Sequence, residues 1–134
     1  MTDGDSGRFA MGLDMYIEMD GETVAYWRKS NQIHGWFARR FPNLENCKEV
    51  VITKDDMLRL ASDISVCVNE VIDIGHAGEA CKAHLPTTKG FFFGLTDYEE
   101  WYVEDLFESL QKVTYCAYKM AKYPDSKFTY TAWW

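Results

Sequence analysis

Long apolar runs are missing from this 134-residue chain. Nothing approaches the roughly 18 consecutive apolar residues that a membrane-spanning helix requires, so no such helix and no membrane partner is expected. The start, MTDGDSGRFA, has acids and glycines where a secretory signal would have a basic stretch and an apolar run. A cytoplasmic address is therefore expected. The four cysteines (Cys47, Cys67, Cys81 and Cys116) form no Cys-x-x-Cys pair, and only three histidines occur. That leaves little material for a structural zinc site, and without a secretory signal all four cysteines are expected to be reduced. A basic excess is lacking too. The formal net charge is −7, which disfavours general binding to a phosphate backbone. No internal repeat and no low-complexity tract interrupts the chain, and its length suits one domain.

Apolar and aromatic residues are plentiful, at 47% and 16%. They provide for a core and argue against disorder. Charge is unevenly spread. Residues 25–54 hold six bases and two acids, with Arg28, Lys29, Arg39 and Arg40 as a small basic patch, whereas residues 55–110 hold three bases and twelve acids.

Residues 1–10 read as a flexible leader, and residues 11–134 as a single α+β domain. Residues 13–27 read as a hairpin turning at Asp20-Gly21. Ser30 opens a helix over 31–41 that Pro42 stops. After a loop ending in Val50-Val51-Ile52, Thr53 caps a helix with Met57, Leu60, Ala61, Ile64, Cys67, Val68 and Val71 on its apolar face, ended by Gly75 and Gly78. Residues 75–95 read as the longest irregular segment. Thr96 and Glu99 form a capping box for a helix running to Lys122, with a core face of Val103, Leu106, Leu110, Val113, Thr114, Ala117 and Met120. Residues 128–133 read as a last strand. The expected fold is a small antiparallel sheet, made of the N-terminal hairpin and the C-terminal strand, packed against about three helices.

Three blocks carry a resemblance. They are MGLDMY at 11–16, VAYWRKSNQIHGWF at 24–37 and LPTTKGFFFG at 85–94, the last running on through Thr96, Tyr98, Trp101, Tyr102, Glu104, Asp105 and Leu106. Together they resemble a group of small uncharacterised bacteriophage and prophage proteins. Those proteins typically begin at the methionine matching Met11 and end in an aromatic-rich strand like residues 128–134. The resemblance covers most of residues 11–134, with ten extra residues before Met11. It implies a phage-type source and the cytoplasm of a bacterial host, and it carries no activity.

Four constellations hold the candidate chemistry. The first is a small-ligand pocket built from Arg28, Asn31, His34, Lys89 and Tyr98. The first-turn N–H groups of the helix at Ser30 would hold an anion beside Arg28 and Lys29, and His34 would serve as acid or base. The plain alternative is a solvated loop with His34 hydrogen-bonded at the sheet edge. The second, Thr87-Thr88-Lys89-Gly90 with Gly94-Leu95-Thr96, lacks phosphate-loop spacing and reads as a structural loop tucking Phe91, Phe92 and Phe93 under the helices. The third is His76, Cys81 and His84, with Cys47 as a fourth ligand if the fold allows; no metal or other cofactor is expected.

The fourth lies on the last helix. At about 100° per residue, Asp97, Glu100, Glu104 and Glu108 fall on one stripe, with Trp101 beside it and Gln111 and Tyr115 extending it. A solvated face is the plain alternative to a partner surface with Trp101 and Tyr115 as anchors. Asp105, Tyr98 and Tyr102 also offer a polar wall. The leading expectation is a small acidic binding protein that engages a host protein, as an inhibitor or phosphate-backbone mimic. The His34/Arg28/Lys89 pocket of a ligand-binding protein or enzyme is the alternative. Oligomeric state is not legible.

Overall fold

The structure, a computed structural model, describes residues 12–90 and 94–134. The expected leader and Phe91, Phe92 and Phe93 lie outside the described residues. The elements are β1 (Asp14–Met19), β2 (Glu22–Arg28), α1 (Asn31–Arg40), β3 (Val50–Val51), α2 (Lys54–Ile74), α3 (Glu79–His84), α4 (Glu100–Lys122) and β4 (Phe128–Trp133). They make an α+β fold with one antiparallel sheet in the order β2-β1-β4-β3.

The hairpin turns where Asp20 and Gly21 both take positive φ, 50° and 90°, as a two-residue turn between right-twisted strands demands. The period of two then sorts the sheet. Met15, Ile17, Ala25, Trp27, Phe128, Tyr130 and Ala132 are buried on the inner face, while Asp14, Tyr16, Tyr26 and Trp133 alternate with them on the outer one. Helix α1 lays Phe37 flat on Tyr130, with ring centroids 3.7 Å apart. Helix α4 meets the sheet through Ser109, whose hydroxyl accepts the Trp27 indole N–H at 2.9 Å. Helix α2 packs along α4, and α3 against α2.

Thr53 and Asp56 cap α2 reciprocally, and Gly75 ends it in the left-handed conformation at φ 86°. Four expectations need correction. The Thr96–Glu99 capping box does not form, and α4 begins at Glu100. Asp97 instead takes the Glu99 N–H and the Trp101 indole N–H, a local turn that competes with helix. Thr114 is exposed, bonding its hydroxyl back to Leu110 O. The buried face of α4 is Tyr102, Leu106, Ser109, Val113, Cys116 and Met120, slightly rotated from the expected one. Within the stretch expected to be irregular, α3 forms, so the described residues hold four helices rather than about three. Its cap is remote in sequence: Glu70 of α2 accepts the backbone N–H groups of Gly78, Ala80 and Cys81 at 2.8–3.0 Å. Finally, Ser30 stands at the start of α1 without capping it.

Candidate functional site

The junction of β2 and α1 buries several polar side chains, Ser30, Asn31, Gln32 and His34. Asn31 is fully buried. Its Nδ2 donates to Leu95 O at 2.6 Å and its Oδ1 accepts the Thr88 N–H at 2.7 Å. One side chain thus ties residues 86–90 to residues 94–96, the two stems of a strap. The strap is further closed by the Tyr98 hydroxyl accepting the Thr87 N–H at 3.0 Å, and by the Thr87 hydroxyl donating to Thr96 O at 2.7 Å. Gly35 permits the approach, since a methyl group there would collide with the Thr88 hydroxyl oxygen. Asn31 and Tyr98 therefore do come together around the strap, with their polar groups engaged in holding it.

The other pocket candidates have different surroundings. His34 is 3% exposed, with Nδ1 2.8 Å from the Tyr130 hydroxyl and its ring 4.8 Å from that of Trp134. Burial pushes its pKa down to about 4, so the imidazole is neutral at physiological pH. Arg28 pairs with Asp14 at 3.0 Å, and Asp14 also accepts the Tyr26 hydroxyl at 2.6 Å. Lys89 is exposed.

Asp105 ties the junction to α4. Its Oδ2 accepts from the Ser30 hydroxyl and the Gln32 amide, and more distantly from Ser109 at 3.4 Å. Burial raises its pKa, opposed by the Ser30 hydrogen bond and by the charge of Lys112. Tyr102 is fully buried and donates to Leu85 O at 2.7 Å. The polar groups of the expected wall, Asp105, Tyr98 and Tyr102, are therefore engaged in separate internal hydrogen bonds.

The outer face of α4 differs in kind. Asp97, Glu100, Glu104 and Glu108 are exposed, and none forms an ion pair among the described residues. Trp101 is half-buried, its ring edge-on to Tyr102 at 5.9 Å. Tyr115 is 48% exposed, and farther along Lys119 and Lys122 lie over the rings of Tyr115, Tyr118 and Tyr123.

Among the described residues no three metal-ligating side chains converge. Cys81 is buried beside Cys67, His84 meets Asp63, and His76 lies by Ala77 O. All four cysteines are unpaired, and Cys47 alone is exposed. Two concavities went unforeseen. One, of about 770 Å3, lies on the outer sheet face by Tyr16, Cys47 and Trp133. The other, of about 450 Å3, gathers Arg39 and Arg40 with Arg59, Asp63 and His84. The basic dipeptide at 39–40 signalled part of the second. Arg59 and His84 carried no local signal, because two further helices supply them.

No protein-family model, no curated protein and no solved structure matches the chain.

Proposed function

We propose that this chain is a small acidic binding protein, of the phage type its sequence blocks resemble, that engages a protein of its bacterial host through the outer face of α4. One observation carries the reading. Glu100, Glu104 and Glu108 run along the water-facing side of the helix, Asp97 lies in the turn just before it, and no cation is paired to any of the four among the described residues. Carboxylates four residues apart on a helix repeat about every 6 Å along its axis. Arg28 and Lys29 share a concavity with Glu104 and Glu108 but form no ion pair with them among the described residues, so the row still steers a basic surface towards it and stands where a nucleic-acid-handling protein would hold phosphates. Trp101 and Tyr115 supply the aromatic anchors that interfaces favour.

The experiment has two stages. Affinity capture from bacterial lysate supplies the partner. Binding isotherms then compare the native chain with the Glu100→Ala/Glu104→Ala/Glu108→Ala variant at low and high salt. The expected result is about tenfold or greater weakening, roughly 1.4 kcal/mol, together with a shallower salt dependence. Full affinity in the triple variant would overturn the reading, as would a lysate that yields nothing above background.

A further inference from the structure

One concavity runs against the overall charge. The cleft of about 450 Å3 between α1, α2 and α3 has the size of a small-molecule site. Its lining includes three permanent cations, Arg39, Arg40 and Arg59, with the imidazole of His84 and a single carboxylate, Asp63. In a chain of net charge −7, that concentration of guanidinium groups is unusual.

The donors are pre-positioned. Asp56, itself buried, accepts Arg40 Nε at 2.7 Å, and Asp55 accepts Arg59 Nε at 2.8 Å. Asp55 also lies 3.4 Å from Arg40 Nη2. The carboxylates thus hold two guanidiniums mainly by their Nε edges. Among the described residues, both Nη groups of Arg59 and Nη1 of Arg40 have no hydrogen-bond partner, and Arg39 forms no ion pair. The one carboxylate in the lining is already engaged. Asp63 Oδ2 accepts the Trp36 indole N–H at 2.9 Å, and Oδ1 meets His84 Nδ1 at 3.1 Å. That contact leaves His84 Nε2 without a partner among the described residues. Asp55, Asp56 and Asp63 offset most of the local charge, so recognition here rests on directed N–H donors more than on net field.

We infer that this cleft binds a small molecule carrying a diphosphate group. Arg39, Arg40 and Arg59 would grip its oxygens. Planar guanidinium forks match phosphate oxygens two at a time, and three of them from two helices suit a multiply charged anion better than a single carboxylate. The site is independent of the acidic face of α4 and stands or falls without it.

The test is titration calorimetry of the full chain with inorganic pyrophosphate, against sulfate at matched ionic strength. Pyrophosphate is expected to bind with Kd below about 1 mM, at least about tenfold more tightly than sulfate. The Arg39→Gln/Arg59→Gln variant is expected to lose about tenfold or more in affinity at an unchanged thermal midpoint, because both side chains are exposed. Arg40 is kept, since it neutralises the buried Asp56. Lys48→Gln, outside the cleft, should bind as the native chain does. Absence of pyrophosphate binding, equal binding of sulfate, or a double variant that binds undiminished would each overturn the inference.

Discussion

His34 entered as a candidate acid or base and sits in the structure as a neutral core side chain, and the difference has a measurable consequence. Its pKa falls from an ordinary 6.5 to about 4 because the interior disfavours the imidazolium. The unfolded chain therefore takes up the proton first. Stability contributed by the neutral ring is complete above pH 6.5 and is lost as pH falls from there towards 4, on the order of 3 kcal/mol in total. Denaturant melts between pH 7 and pH 4 are expected to show that decline, and His34→Gln is expected to flatten it. Glu70 acts over a lower window. Burial pushes its pKa up, but the N–H groups of Ala80, Cys81 and Gly78 outweigh that and hold it at about 2, below an ordinary 4.5. Its contribution is present above pH 4.5 and disappears as pH drops through about 2. Replacing Glu70 with alanine strips α3 of its cap. The expected loss is about 1–2 kcal/mol, with faster hydrogen exchange at the Gly78, Ala80 and Cys81 amides.

At the level of elements, the strap stems, residues 86–90 and 94–96, are held largely by side chains from outside them. Asn31 takes one backbone group from each stem, so Asn31→Ala removes two hydrogen bonds at once. The expected cost is about 2–3 kcal/mol, and the Thr88 amide should lose its protection against exchange. If Thr88 kept native protection in that variant, the clamp would not be what holds the strap. Helix α4 teaches a related lesson. Its period gave the buried side correctly in outline, yet Asp97 and Trp101 moved its start and Tyr102 took a place in the core. Local capping rules compete with local turns, and the winner depends on which backbone groups a distant segment has already taken. Here the Thr96 carbonyl is held by Thr87.

Over the whole molecule, charge is sorted by face. The outer side of α4 carries carboxylates that form no ion pair among the described residues, while the cleft between α1, α2 and α3 collects arginines. Removing three like charges from an exposed helix should barely disturb the fold. The Glu100→Ala/Glu104→Ala/Glu108→Ala variant is expected to unfold within about 1 kcal/mol of the native chain, since exposed charge pairs along a helix contribute only a few tenths each. A thermal melt checks this, and it separates loss of partner affinity from loss of structure.

The sequence by itself determined the α+β class, the Asp20-Gly21 hairpin, the Thr53 cap, the Gly75 stop, the apolar face of α2 and the acidic stripe of α4. Each follows from spacing along one element or from one residue's backbone preference, and both are local. Only the tertiary structure decided that His34 turns inward to Tyr130, that Asn31 and Glu70 each hold backbone groups of a distant segment, and that Arg59 and His84 join Arg39 and Arg40. Those outcomes depend on which buried polar groups still need partners after the helices have packed, and that demand is set by contacts far apart in the chain.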